Sequence, residues 1–363
     1  MTALADLGIA FGRVAFVMLF VLNLGGLLGW VERKQSAIMQ DRIGANRASI
    51  LGFRVLGLFH PIADAIKLLT KEDFRPARAD RFLFGLAPFV SVFFGLVAFA
   101  SIPFGDTLRV AGREIPLQAV TLNVGVLYVF AMLSLGVYGV MMAGWSSANN
   151  YALLGGQRAA ALMISAEIAI GASIIGVVMI YGSLDLQEIV RAQGELLWGW
   201  LPAWGIVTQL PAFVIFLTAG IAATKRVPFD TPEGESEIIG YFVEYSGMKA
   251  GMFMMADFLE TVVIAGLTTS LFLGGWQVPY LTAEGFRFPW GWAWALPHLA
   301  VALLQVGAFV VKVCAMIFFM MLVRWTLPRF RYDQAMRLGW LGLFPLSILN
   351  IVVTGLVLLL WKP

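Results

Sequence analysis

Long apolar stretches constrain the fold of this chain more than any other feature of its sequence. A helix that crosses a bilayer needs about 20 mostly apolar residues. Eight stretches meet this requirement, at about 10–31, 82–104, 121–143, 159–181, 203–224, 248–274, 299–323 and 339–361. Only 13% of the 363 residues are charged, whereas soluble domains have about 25%. The sequence therefore predicts an all-α polytopic membrane protein with a single membrane domain over 1–363.

Basic residues are distributed unequally over the connections between these stretches. The connections after the first, third, fifth and seventh stretches carry 18 Lys and Arg residues, and the opposite side carries 5. Because positively charged connections stay in the cytoplasm, the first set is expected to be cytoplasmic. An even number of spans then places both termini outside. The first stretch ends in charged residues at 32–34 and is expected to be a retained anchor rather than a cleaved signal.

The connection over 32–81 contains an amphipathic pattern. Apolar residues repeat with helical spacing while charged residues occupy another face. The two sets are Ile62, Ala63, Ile66 and Leu69, and Asp64, Lys67 and Lys71. The pattern predicts a helix within about 50–72 that lies on the cytoplasmic surface. An ordinary juxtamembrane helix that binds anionic lipid is an equally good interpretation of the periodicity alone.

An acidic connection at about 225–247 lies between two apolar stretches. It carries Asp230, Glu233, Glu235, Glu237 and Glu244. Carboxylates this close together beside a bilayer repel one another and lose solvation, and both effects make their protonation easier. The connection is therefore a candidate for proton-linked chemistry.

Four ionisable residues fall inside the apolar stretches: Glu167, Asp257, Glu260 and Lys312. Each costs about 2.5–3.5 kcal/mol on insertion scales unless it is paired, protonated or hydrated. Asp257 and Glu260 are three residues apart and so share a helical face. In the structural interpretation, Lys312 neutralises one of the acids. The surplus of acids favours a proton relay through Glu167, Asp257 and Glu260.

The cysteine and histidine content limits the redox chemistry of the chain. Its one cysteine, Cys314, cannot form an internal disulfide or hold an iron–sulfur cluster. The two histidines are far apart in sequence. No bound metal or cofactor is expected, and another chain has to carry any electrons. The net charge of +3 gives little support to nucleic-acid binding.

Five motifs resemble one family. They are VERKQSAIMQDRIGANR at 31–47, HPIADAIKLLTKE at 60–72, NNYALLGGQRAA at 149–160, RVPFDTPEGESEIIGYFVEYSG at 226–247 and LPRFRYDQAMRLGW at 327–340. Each lies on an expected cytoplasmic connection. Together they resemble the H-type membrane subunit of bacterial NADH:quinone oxidoreductase (respiratory complex I), called subunit 1 in mitochondria. Three positions, Ala45, His60 and Ala166, differ from the usual family pattern.

The resemblance implies a subunit that borders the quinone chamber in a bacterial inner membrane. Quinone is then the substrate, and no catalytic side chain is required from this chain. The implied partners are peripheral iron–sulfur subunits at the cytoplasmic face, which hold FMN and the clusters, antiporter-like and small membrane subunits, and lipid. The implied chamber or entrance residues are Glu32, Arg33, Arg42, Asp64, Arg226 and Asp230. The implied proton-coupling residues are Glu233, Glu235, Glu237, Glu244, Glu167, Asp257 and Glu260.

Three alternatives remain open at this level. A related membrane subunit of an energy-converting hydrogenase, or of a dehydrogenase with another donor, has a similar sequence pattern. A stand-alone proton transporter could use the same buried acids. A structural membrane anchor would leave those acids unexplained.

Overall fold

A computed structural model describes residues 2–110, 112–232, 234, 238 and 240–361. Side chains are described for the same residues except 2–5, 110 and 361. Glu233, Glu235 and Glu237 of the acidic connection lie outside the described residues.

The described part of the chain is mainly helical. Its α-helices are α1 (Thr2–Met39), α2 (His60–Thr70), α3 (Arg81–Ala98), α4 (Gly125–Ser146), α5 (Asn150–Tyr181), α6 (Leu186–Ala192), α7 (Gly205–Thr208), α8 (Leu210–Ala223), α9 (Gly247–Phe272), α10 (His298–Thr326), α11 (Tyr332–Arg337) and α12 (Phe344–Trp361). Short 3₁₀ turns occur at Val55–Gly57 and Phe99–Ser101, and a π-helical segment at Leu338–Leu343 joins α11 to α12.

Short antiparallel strands form three small sheets in the connections. They are β1 (Thr107–Val110) with β2 (Arg113–Pro116), β3 (Leu196–Leu197) with β4 (Leu201–Pro202), and β5 (Leu281–Thr282), β6 (Gly285–Arg287) and β7 (Ala293–Ala295) in that order. In register, Leu108 faces Ile115, Leu197 faces Leu201 and Phe286 faces Trp294. We call the end of the bundle that carries these strands the hairpin end.

The predicted polytopic helical fold is confirmed. Within the described residues, seven helical segments are long and apolar enough to cross a membrane: 6–39, 81–101, 125–146, 150–181, 247–272, 298–326 and 332–360. The eighth apolar helix, α8, has 14 residues and begins at Leu210 rather than near 203. Non-helical dihedral angles at Gln209 separate it from α7, and Pro211 suits its first turn because that turn needs no N–H donor there.

The surface helix is shorter than the predicted 50–72. It begins at His60 and ends at Thr70, with Pro61 in its first turn. Leu51, Val55 and Leu56 have φ angles of 49°, 23° and 54°, which are incompatible with a right-handed helix. The segment before His60 therefore forms tight turns instead.

Helix α9 lies at the centre of the bundle. From Ala256 to Phe272 every one of its residues is buried. Small residues on its neighbours allow this close packing. A Cβ atom added at Gly220 of α8 would lie 2.7 Å from Cγ2 of Ile264, and one at Gly95 of α3 would lie 3.4 Å from Cβ of Leu259. Asp257 and Glu260 are therefore carried into the middle of the protein.

Candidate functional site

The five sequence motifs meet at one end of the bundle, which we call the charged end. Segments that are far apart in sequence contact one another there through polar groups. The contacts are Arg33 with Asp64 at 2.6 Å, Glu32 with Arg226 at 3.2 Å, Asn149 with Glu244 at 2.6 Å, and the N–H of Phe330 with the carbonyl oxygen of Pro228 at 2.8 Å.

A cavity of about 300 Å³ opens at the charged end. One part of its wall is charged and the other is apolar and aromatic. The charged lining residues are Glu32, Lys225, Arg226, Asp230, Asp257 and Arg324, and the apolar ones are Phe242, Ala250, Phe253, Met254 and Phe258. Four of the sequence-predicted site residues, Glu32, Arg226, Asp230 and Asp257, thus line the same cavity. Its size is at the lower limit for a small-molecule pocket, about 300 Å³.

Glu32, near the end of α1, is the centre of the charged wall. Its Oε2 lies 3.2 Å from Arg226, and its Oε1 lies 2.8 Å from Arg324 of α10. The guanidinium group of Arg226 also lies 4.1 Å from the centre of the Phe258 ring, over its face. A carboxylate with two arginines is a fixed, positively charged surface that suits an anion or a polar carbonyl group.

Asp230 is held by the segment between α10 and α11. Its Oδ2 lies 2.8 Å from Arg329, and its side chain is 9% exposed. Phe330 stacks on Phe229 with the ring centres 5.3 Å apart, next to its backbone hydrogen bond to Pro228. The segment at 327–331 therefore fixes the first half of the acidic connection.

Lys225 connects the cavity with the carboxylates of α9. Its Nζ lies 2.9 Å from Asp257 and 3.1 Å from Glu260, and its side chain is 2% exposed. Burial alone would lower the pKa of Lys225, but the two carboxylates outweigh burial and hold that pKa well above its usual value. The ammonium group is therefore a permanent buried cation in this arrangement.

Glu167 of α5 lies on the far side of Glu260. Its Oε2 accepts a hydrogen bond from the hydroxyl of Ser134 in α4 at 2.7 Å. Glu167 and Glu260 line a common void of about 20 Å³, together with Thr224. A void of at least about 10–15 Å³ can hold one water molecule, and such a water needs polar partners. The two carboxylates and the Thr224 segment offer them.

The other predicted site residues do not line the cavity. Arg33 and Asp64 form a partly exposed ion pair that joins α1 to α2. Arg42 is exposed at the turn after α1, where it donates to Gln40 and Ser36. Glu244 accepts a hydrogen bond from Asn149, the residue that caps α5.

Lys312 does not neutralise an acid, so the structural interpretation of this residue was wrong. Its ammonium group donates to the carbonyl oxygens of Leu273, Gly275 and Gln277 at 2.6–3.0 Å, and lies 4.3 Å from the centre of the Trp204 ring. These carbonyl groups follow the C-terminus of α9, where a cation is favoured. Lys312 therefore stabilises the hairpin end of α9, away from Asp257 and Glu260.

Three residues of the site have no predicted role in the sequence analysis: Lys225, Arg324 and Arg329. There they count only as topology-determining basic residues. A usable signal was present for Lys225, because it directly precedes the 226–247 motif at the end of an apolar stretch. Arg329 also lies inside a quoted motif, whereas nothing local distinguishes Arg324.

The comparison with known proteins decides the family. A family model described as NADH dehydrogenase matches residues 12–355. The chain belongs to this family. It is 44% identical to the H-type subunit 1 of NADH-quinone oxidoreductase from Geobacter metallireducens over 98% of both chains. It is 45% identical to the H-type subunit of NADH-quinone oxidoreductase from Thermomicrobium roseum over 95% of this chain and 94% of that one.

The NADH dehydrogenase family accounts for the resemblance carried by the five motifs, which is confirmed. The chain is an H-type membrane subunit, and therefore part of an oxidoreductase rather than a stand-alone transporter or a simple anchor. A third relative, the H-type subunit from Flavobacterium psychrophilum, is 43% identical over 92% of both chains. In the described residues of this family member, no three His, Cys, Asp or Glu side chains converge to form a metal site.

Proposed function

We propose that this chain forms the membrane wall of a quinone site and couples quinone reduction to proton translocation through its buried carboxylates. One observation carries the proposal. A continuous series of charged side chains runs from the cavity at Glu32 and Arg226, through Lys225, to Glu260 and Glu167 inside the bundle.

The chemistry at the cavity is the reduction of a quinone to a quinol, which takes up two electrons and two protons. The electrons come from partner subunits that hold FMN and iron–sulfur clusters, since this chain has one cysteine. A reduced quinone is anionic before it is protonated, and preorganised cations stabilise such a charge. Arg226 and Arg324 are the groups of this chain suited to that task, and the aromatic wall suits the ring.

Electrostatic repulsion and attraction transmit the change in charge to the membrane interior. Two unit charges about 4 Å apart interact by about 4 kcal/mol at an effective dielectric constant near 20. Since about 1.4 kcal/mol corresponds to one pKa unit, one added charge at the cavity is enough to change the protonation of a neighbouring carboxylate. The carboxylates proposed for this step are Glu233, Glu235, Glu237 and Glu244 of the connection, and Asp257, Glu260 and Glu167 in the helices.

The proposed setting is a bacterial inner membrane. The charged end faces the cytoplasm and contacts peripheral iron–sulfur subunits, while the flanks of the bundle contact lipid, small membrane subunits and antiporter-like subunits. The relatives named above are bacterial proteins whose names assign them to NADH-quinone oxidoreductase, which supports this assignment. The donor is proposed to be NADH for the same reason.

The test is the replacement of single carboxylates in the assembled complex, with Glu260→Gln, Glu167→Gln, Glu235→Gln and Glu237→Gln. We expect loss of proton translocation per NADH oxidised, measured in inverted membrane vesicles, while the complex still assembles. Glu114→Gln is the matched control, because Glu114 is exposed at the hairpin end in an ion pair with Arg109. Wild-type proton yield in both helix variants, Glu260→Gln and Glu167→Gln, would exclude coupling through these residues.

A further inference from the structure

Lys225 occupies an unusual position between two polar compartments. It lines the cavity at the charged end, yet its Nζ lies beside Glu260, which lines the separate void shared with Glu167. Asp257, its other partner, lines the cavity. Among the described residues, Lys225 is thus the cation that contacts one carboxylate of each compartment.

The backbone is adapted to this position. Lys225 has a φ angle of 55°, a left-handed conformation that is uncommon for residues other than glycine and is retained where the surroundings determine it. Its N–H is bonded to the carbonyl oxygen of Ala222 in the last turn of α8. As a result, Lys225 turns back into the bundle, whereas the next residue, Arg226, reaches Glu32 on the cavity wall.

The charges of this cluster do not balance when all three groups are ionised. Lys225 contributes one positive charge, and Asp257 and Glu260 contribute two negative charges, which leaves a net charge of −1. One added proton makes the cluster neutral. The other charged groups that surround it are Glu32, Arg226, Asp230 and Arg324 around the cavity and Glu167 across the void.

We propose that Lys225 is the positioning residue that transfers the charge change from the cavity to Glu260 and Glu167. This inference rests on the proposed coupling function. A proton taken up from water in the cavity binds a carboxylate oxygen of Asp257 and removes its negative charge. Lys225 remains protonated, loses its partner at 2.9 Å and pairs with Glu260 alone. Loss of that proton from Asp257 draws the ammonium group back to the cavity side.

The experiment uses three substitutions of Lys225 in the assembled complex: Lys225→Met, Lys225→Gln and Lys225→Arg. The readouts are the amount of assembled complex, the rate of NADH-driven quinone reduction, and the number of protons translocated per electron. Lys225→Met and Lys225→Gln are expected to lower the proton-to-electron ratio at least twofold in the complex that assembles. Lys225→Arg, which keeps the cation, is expected to retain most of the ratio.

A matched control is Lys249→Met, because Lys249 pairs with Asp73 outside the cavity lining. It should leave the ratio unchanged. A purely structural role of Lys225 would lower the yield of complex or its rate but leave the proton-to-electron ratio of the assembled enzyme at the wild-type value. That result, in Lys225→Met or in Lys225→Gln if the former does not assemble, overturns the inference.

The carboxylate variants separate this inference from the proposed function. If Glu260→Gln and Glu167→Gln lose translocation while the neutral Lys225 variants keep it, only the role of Lys225 is refuted. If the carboxylate variants themselves translocate normally, the coupling function fails and the role of Lys225 fails with it.

Discussion

Glu32 joins two arginines that come from opposite parts of the chain. Arg226 follows α8 and Arg324 lies near the end of α10, and both reach the same carboxylate. Hydrogen bonds to charged groups contribute about 1.5–3 kcal/mol each. Without this carboxylate the two guanidinium groups would repel each other across the cavity.

Replacement of Glu32 by glutamine should therefore impair quinone reduction. The neutral amide cannot balance two guanidinium groups, so Arg226 and Arg324 should move apart and the cavity wall should lose its shape. We expect the rate of NADH-driven quinone reduction, or the quinone KM, to worsen about tenfold, the effect of about 1.4 kcal/mol. Steady-state kinetics at equal amounts of assembled complex would measure it.

The control for this substitution is Glu284→Gln at the hairpin end, where Glu284 pairs with Arg287 on the surface. It should behave like wild type. Kinetics of Glu32→Gln indistinguishable from this control would mean that the paired arginines do not depend on Glu32.

Residue types were predictable here, but partners were not. The sequence marks Glu32, Arg226, Asp257 and Glu260 because charge beside or within an apolar stretch is costly. It does not reveal that Lys225 neutralises Asp257 and Glu260, since the residues that meet are 32 and 35 positions apart on different elements. Lys312 illustrates the converse error, because opposite charge alone suggests an acid as its partner whereas helix-end carbonyl groups hold it.

Among the elements, the connection between α10 and α11 acts as a clamp on the acidic connection. The clamp consists of the ion pair of Arg329 with Asp230, the stacking of Phe330 on Phe229, and the backbone hydrogen bond from Phe330 to Pro228. It leaves the segment at 226–232 with little freedom. Arg226 and Asp230 are thereby held at the cavity wall.

Removal of the aromatic contact with Phe330→Ala should loosen this segment. An aromatic pair contributes about 0.5–1.5 kcal/mol beyond its buried area, so local opening should become about 2- to 10-fold more frequent. Amide hydrogen exchange of 226–232, measured by mass spectrometry on the assembled complex, should rise accordingly. Phe288→Ala, in an aromatic stack at the hairpin end, should leave that exchange unchanged.

Unchanged exchange at 226–232 in Phe330→Ala would show that the ion pair and the rest of the protein hold the connection without the stack. In that case Arg329→Gln becomes the decisive variant, because it removes the ion pair with Asp230.

The helices were predictable because the bilayer imposes their length and composition. The errors occur where local backbone chemistry decides the boundary. Gln209 and Pro211 delay the start of α8, and the left-handed residues before His60 shorten α2. The small strands at the hairpin end were not predicted, since pairs of two to four residues carry little periodicity.

Across the whole molecule, charge is concentrated at the two ends of α9. At the charged end, Lys225 meets the carboxylates of Asp257 and Glu260, and at the hairpin end Lys312 meets the C-terminal carbonyl groups. The intervening part of α9 is buried and apolar apart from hydroxyl groups such as those of Thr268 and Thr269. The direction in which this helix crosses the membrane therefore decides which aqueous phase supplies the proton-linked cavity.

The excess of basic residues predicts that the charged end is cytoplasmic and the hairpin end periplasmic. In a Cys314→Ser background, Lys71→Cys reports on the charged end and Ala283→Cys on the hairpin end, since both positions are exposed. A membrane-impermeant maleimide added to intact spheroplasts should label Ala283→Cys and spare Lys71→Cys. Inverted vesicles should give the opposite pattern, and the Cys314→Ser chain alone measures background labelling. Labelling of Lys71→Cys from outside would reverse the orientation, and would place the cavity in contact with the phase into which protons are released.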